Sequence, residues 1–331
     1  MPYRSIKGYT GLGQLGLLLV FLGLGFILAG GAQLIIAMKI VPEGTPFANI
    51  GDAMLKAMLD PANVSYARLA QVLGTFFLLF IPAVLFSWIS NGKNTWWLGF
   101  NKYINIYQVL LGFLIFFTAN ILAAPLADMS KALISHLPSL DKMAKSLEEA
   151  YNEQVLVLSN LKSWPEFIMA LAIMAFFPAL FEEMFFRGAM QNLLVKWWKQ
   201  PILAIVFTSL LFSLIHSSAY LFLSRAVLGF VLGWMFYKTQ NLWVNVIAHF
   251  LNNAIALAQL FSMSNRKEKL DVSKLDPKVD WWFGLIAIGI LFFLFRFLNR
   301  YSVKNRMKIN AREQTLRATA IPDNPFAANQ I

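Results

Sequence analysis

Long apolar runs restrict this chain more than any other feature. A helix that crosses the hydrocarbon core of a bilayer takes roughly 20 apolar residues. Runs of about that length occur at Tyr9–Met38, Leu69–Ile89, Ile104–Ala127, Phe167–Phe186, Ile202–His216, Leu221–Tyr237, Trp243–Ser262 and Trp281–Leu298. In lipid every backbone N–H and C=O must be satisfied within the segment, which leaves helices as the reading for such runs. The expected fold is therefore all-α: a polytopic membrane protein with about eight transmembrane helices. Composition agrees, with 58% hydrophobic and only 14% charged residues, against about 25% charged in soluble domains. Trp96, Trp97, Trp164, Trp197, Trp198, Trp243, Trp281 and Trp282 fall near the expected ends, where interfacial aromatics belong. The first run follows Arg4 and Lys7 and is too long for a signal peptide, with no convincing cleavage site after it. It reads as an uncleaved span.

The net charge of +11 is not a nucleic-acid signal. Much of the excess lies at Arg296, Arg300, Lys304, Arg306, Lys308, Arg312 and Arg317, beside the last span. A basic flank of this kind obeys the positive-inside rule and attracts anionic lipid headgroups. Lys93, Lys102, Lys196, Lys199 and Lys238 fall in loops on the same side as Arg4 and Lys7, whereas the opposite loops are mixed in sign. Both termini are expected to be cytoplasmic, with the protein integral to the cell or plasma membrane and the bilayer as its partner. The chain has no cysteine, which excludes disulfides, a cysteine nucleophile and thiolate metal sites.

Five regions follow. Residues 1–127 carry spans one to three. Residues 128–163 read as an extracytoplasmic amphipathic connector. Residues 164–262 hold spans four to seven, 263–299 a sign-alternating loop and span eight, and 300–331 a basic tail read as disordered. Gly229 and Gly233 form a GxxxG pattern in span six, read as packing within the bundle. Oligomeric state is not legible.

Spans four to seven contain residues that are costly there: Glu182, Glu183, Arg187, His216 and His249, with Asn252 and Asn253 beside the last. Each ionisable group costs roughly 2.5–3.5 kcal/mol on insertion scales. Glu183 and Arg187 are one helical turn apart and can pair on one face. Glu182 points about a hundred degrees away. His249 and Asn253 share a face, and so do Phe212 and His216. If the chain turns at Lys199–Gln200, Glu182 and His216 each lie about 24 Å from the turn. His249 and Asn253 reach a similar level after the turn at Thr239–Leu242. By contrast, His136 in the connector reads as solvated, and Arg225 as snorkelling to the far interface.

A carboxylate in such a site can act as general base toward water, imidazoles can orient the water, and an Asn amide can stabilise an oxyanion. Glu182 or Glu183, His216, His249 and Asn253 thus suffice for amide hydrolysis. The same Glu and His residues could instead hold Zn²⁺, with Glu183, His216 and His249 as the candidate ligands. No HExxH, GxSG-type serine context or aspartate pair within spans is present.

Glu182-Glu183-Met-Phe-Phe-Arg187 fits EExxxR, Phe212-Ser-Leu-Ile-His216 fits FxxxH, and His249-Phe-Leu-Asn-Asn253 fits HxxxN. In this order and spacing the motifs resemble the type II CAAX prenyl endopeptidase family, also called the CPBP or Abi family of intramembrane proteases. The resemblance covers about Trp164 to Ser262. It implies a conical catalytic cavity formed by spans four to seven, with Glu182 and His216 activating water. It further implies His249 and Asn253 as oxyanion site and Glu183 and Arg187 in support. The family is commonly labelled a metalloprotease, yet a metal-free glutamate mechanism is also argued for it; both routes stay open. The expected function is an intramembrane endopeptidase acting on a membrane-embedded or lipidated peptide or protein. The alternatives are a non-catalytic membrane scaffold or regulator and a proton-coupled transporter.

Overall fold

Caps and breakers in the sequence decide where the helices begin and end. The computed structural model describes residues 3–320 apart from 160, 162, 217 and 267–278. Helix α1 (Gly11–Met38) starts where the Thr10 hydroxyl accepts the Gly13 N–H. After a short helix α2 (Ile50–Leu59), Asp60 caps the turn that leads into α3 (Pro61–Asn91). Asn105 and Gln108 form a reciprocal capping box at the head of α4 (Ile106–Ser135), satisfying two otherwise orphaned N–H groups. Helix α5 (Pro138–Leu158) follows, then α6 (Trp164–Trp198), whose Ser163 cap accepts from Glu166 N–H. Lys199 in left-handed conformation (φ 58°) and Pro201 at the first helical position turn the chain sharply into α7 (Pro201–Ile215). Helix α8 (Phe222–Thr239) ends at left-handed Gln240, and Asn241 caps α9 (Leu242–Asn265). Helix α10 spans Trp281–Ala320. Among the described residues there is no strand, only an isolated bridge between Arg4 and Thr10.

All eight expected apolar runs are helices. Six of the described helices, α1, α3, α4, α6, α9 and α10, are long and apolar enough to cross a membrane. Helix α7 has 15 residues, shorter than a full span. Helix α8 carries Arg225 and Lys238 and packs against α4, α7 and α10, so it needs less lipid-compatible surface. On the outside, Phe26 (70% exposed), Ile168 (64%) and Phe293 (62%) belong to a broad apolar surface, which suits lipid rather than water. Inside, Phe181, Phe185 and Phe186 of α6 pack with Leu18 of α1, Phe86 of α3 and Phe212 of α7. A second cluster joins Ile115, Leu232, Val244 and Leu298 from α4, α8, α9 and α10.

Wide π-helical turns interrupt two of the long helices. They occupy Phe76–Phe80 in α3, and Leu171–Phe176 and Met184–Gln191 in α6. The first two each end just before a proline, Pro82 and Pro178. Proline lacks the N–H and crowds the carbonyl four residues back, and an opened ladder accommodates both defects. The third directly follows Glu182 and Glu183.

Two expected boundaries are corrected. The basic tail is not disordered over residues 300–320, which continue α10. Its charges find partners: Lys196 Nζ meets Glu313 at 3.0 Å, Arg317 pairs with Glu313, and Arg306 donates to the Lys238 carbonyl. Gln108 Nε2 also donates to Ser302, and Asn305 donates to Gln108. The connector begins later than expected, because α4 runs on to Ser135. Beyond it, α5 has the expected amphipathic helical form, and His136 is exposed. Residues 321–331 of the expected tail, and nearly all of the loop before α10, lie outside the described residues.

Candidate active site

Three helices deliver the costly polar residues to one layer. Glu182, Glu183 and Arg187 come from α6, His216 from the end of α7, and His249 from the second turn of α9. Tight turns with Lys199 and Gln240 in left-handed conformation join α6 to α7 and α8 to α9.

Glu183 and Arg187 form the sealed side. Their side chains are 0% and 2% exposed, and Arg187 Nη1 donates to Glu183 Oε1 at 2.9 Å. Arg187 Nη2 donates to the Gly229 carbonyl at 3.1 Å, and its guanidinium lies 4.6 Å from the centre of the Phe212 ring. Four residues on, Gln191 Nε2 donates in the same way to the Gly233 carbonyl. The GxxxG pair thus serves packing inside the bundle. A Cβ at Gly233 would fall 2.7 Å from Gln191 Oε1 and 2.8 Å from Ile205 Cγ2. Glu183 is fully engaged, since its Oε2 also accepts from Asn245 Nδ2 at 3.0 Å and its Oε1 faces His249 Nδ1 at 3.1 Å.

Glu182 and His216 form the open side, with side chains 13% and 25% exposed. His216 Nδ1 lies 2.6 Å from the Phe212 carbonyl. A carbonyl only accepts, so Nδ1 carries the proton, and in the neutral ring Nε2 presents a lone pair. That Nε2 faces Glu182 Oε1 at 4.0 Å. His249 Nε2 faces Glu182 Oε2 at 3.8 Å, while its Nδ1 donates to Glu183. Both separations exceed a direct hydrogen bond. His249 therefore stands between two carboxylates, and Glu182 between two imidazoles.

Asn253 lies one turn past His249 on α9 and is half-buried; its neighbour Asn252 accepts from Asn120 at 2.7 Å. The ligand set Glu183, His216 and His249 is not brought together for a metal. Glu183 is committed to three donors, and His216 turns its free nitrogen to Glu182 instead. Around Glu182 the separations of 3.8 and 4.0 Å are wider than the about 3.3 Å between neighbouring ligands of tetrahedral Zn²⁺. Among the described residues no group of three His, Cys, Asp or Glu is arranged to hold a metal ion.

Sequence reasoning missed several members of the site. Asn245 is fully buried and donates to both Glu183 and the Leu232 carbonyl. It lies four residues before His249, so helical spacing was the signal that could have found it. Arg225 does not simply snorkel: its Nη1 donates to the His216 carbonyl at 3.1 Å, and it lies over the Tyr151 ring of α5. A cavity of ≈ 360 Å³ opens beside His216, and its other described walls come from α2, α3 and α5.

Residues 164–255 match the family described as type II CAAX prenyl endopeptidase Rce1-like. The resemblance read from the three motifs is thereby borne out over the segment that carries them. The chain is also similar to "Uncharacterized protein YpbD" of Bacillus subtilis (strain 168), with 32% identity over 114 residues, covering 33% of this chain and 53% of that protein. The chain thus spans about half the length of this curated relative. No solved structure matches it.

Proposed function

We propose that this protein is an intramembrane endopeptidase of the CAAX-protease kind, which hydrolyses a peptide bond of a membrane-associated peptide or protein with a water activated by Glu182. One observation carries the reading. With His216 neutral, its Nε2 and the Glu182 carboxylate are both acceptors, and they face each other at 4.0 Å on the open side of the layer. A group that donates two hydrogens reconciles them, and a water molecule does so. Its match to a protease family over residues 164–255 supports the same reading.

In this mechanism the water gives one hydrogen bond to His216 Nε2 and loses its other proton to Glu182. The resulting hydroxide attacks the peptide carbonyl. Protonated His249 donates from both nitrogens, with Nδ1 held by Glu183 and Nε2 turned to the developing oxyanion. Asn253, one turn away, adds an amide donor. As the C–N bond breaks, Glu182 returns its proton to the leaving amine, so protons balance over the cycle. Glu183, Arg187 and Asn245 position His249 without touching substrate. No step is routed through a metal.

The test is cleavage of a quenched membrane-peptide library by the protein purified in detergent. Glu182→Gln should lower kcat by roughly 10²–10⁴-fold while the variant keeps its helical spectrum and unfolding temperature. Activity in Glu182→Gln equal to wild type would remove Glu182 as the base. Activity abolished by a chelator and restored by Zn²⁺ would replace the metal-free route.

A further inference from the structure

The cavity beside His216 is built by segments outside residues 164–255, and that placement gives it meaning. Its walls include Leu55 and Met58 of α2 and Leu147, Ala150 and Tyr151 of α5, with His216 at one end. Among the described lining residues only Tyr151, Gln154 and His216 carry polar side-chain atoms. At ≈ 360 Å³ it falls within the size range of ligand pockets. Leu55, Leu147 and Tyr151 are all exposed, so the apolar wall is open to an incoming group.

The wall is also tied to the residue it flanks. Ser218, two residues after His216, donates to Glu148 of α5 at 2.8 Å. Tyr220 donates to Asp141 at 2.6 Å. Arg225 bridges the two parts, holding the His216 carbonyl and lying 5.2 Å over Tyr151. At the far end of α5, buried Arg68 of α3 donates twice to the Leu158 carbonyl. The apolar wall and the candidate catalytic imidazole are therefore held in one fixed relation.

We infer that this cavity is a specificity subsite, which receives a large apolar side group of the substrate next to the scissile bond. The inference rests on the hydrolase reading above. The occupant is a substrate group, not a loose lipid, because His216, whose Nε2 faces Glu182, itself lines the cavity. Selectivity then resides in α2 and α5, and the hydrolytic residues in α6, α7 and α9.

The experiment uses the full-length protein in detergent with two hexapeptide series. In one, a single residue varies between Ala and Phe, and cleavage is followed. In the other, that residue is p-benzoylphenylalanine, and photolabelled sites are mapped by mass spectrometry. Wild type should favour Phe over Ala, and Ala150→Trp, which fills the cavity, should cut that ratio by roughly tenfold or more. Ile27→Trp, on the outer face of α1, should leave the ratio where it was. Photolabel should appear on peptides containing Leu55 or Met58 and Leu147 or Tyr151, in wild type and in Glu182→Gln alike. Cleavage with an unmoved ratio and label confined to outer helix faces would overturn the subsite and leave the hydrolase standing. Label in the cavity without any cleavage would overturn the hydrolase reading and the specificity role with it. A phospholipid that copurifies in the cavity and is displaced by Ala150→Trp, with the ratio unmoved, would reassign the space to an acyl chain.

Discussion

At the scale of single residues, the buried pair of Glu183 and Arg187 separates support from chemistry. Both are out of solvent, and every hydrogen-bonding direction of Glu183 found in the structure leads to protein. Removing one partner of a buried pair leaves an uncompensated charge, which costs about 3–5 kcal/mol. Arg187→Met should therefore lower the unfolding temperature in detergent sharply, and adding Glu183→Gln to it should recover part of the loss. Recovery of stability without recovery of cleavage is the expected pattern, because Glu183 also holds His249. A double variant no more stable than Arg187→Met would show that the two residues do not act as a pair. The same residues show what was legible beforehand. Helical spacing alone paired Glu183 with Arg187 and turned Glu182 away from them. It could not reveal that Arg187 and His216 find their other partners on backbone carbonyls, those of Gly229 and Phe212. Carbonyls are present at every residue, and only the packing of α7 and α8 selects which ones face the site.

Among the elements, α5 is docked through titratable contacts. The Asp141 carboxyl is held below the ordinary carboxylate range by hydrogen bonds from Lys145 and Tyr220. The Tyr220 phenol is pushed up to about 12, chiefly because it donates to Asp141. Asp141 has a lowered value when folded, so its contribution is present above about pH 3.9 and is lost as pH falls through the folded value. Tyr220 has a raised value, so its contribution is complete below about pH 10 and is lost as pH rises through about 12. Because the chain lacks cysteine, spin labels can be placed at Glu153→Cys on α5 and Leu203→Cys on α7. Their distance distribution should be narrow at neutral pH and broaden above about pH 11. In a Tyr220→Phe background the alkaline step should be missing; if it persists there, some other group controls the docking. The amphipathic character of α5 was readable from its charge pattern, but its docking on the His216 loop was not, because Ser218 and Tyr220 look like ordinary loop residues. The basic part of α10 was misread for a related reason. High charge density suggests solvation, yet Glu313 is the carboxylate that gathers Lys196 and Arg317 and fixes the segment as helix.

On the scale of the whole molecule, charge and architecture together bear on which side the subsite faces. Gly11 of α1 packs so closely on Trp197 that an added Cβ would meet its ring, and Glu313 of α10 reaches Lys196 one residue away. The segments before α1 and at the far end of α10 therefore lie at one end of the bundle. Helix α5 and the His216 loop lie at the other, since Ser130, near the end of α4, accepts from Leu223 there. Along α10, Arg296, Arg300, Lys304, Lys308 and Arg312 recur every four residues, and all are exposed. Around α5 the charges are mixed: Asp141, Lys142, Lys145, Glu148, Glu149 and Glu153. By the positive-inside rule the first end should face the cytoplasm, and the mouth of the cavity the opposite side of the membrane. Substrate would then reach His216 from the outer leaflet or the outer aqueous face, past Leu147 and Tyr151. Single cysteines at Leu147 and Lys304 test this in intact cells with a membrane-impermeant maleimide. Leu147→Cys should label without permeabilisation and Lys304→Cys only after it. The reverse pattern would put the cavity on the cytoplasmic side and the substrates with it.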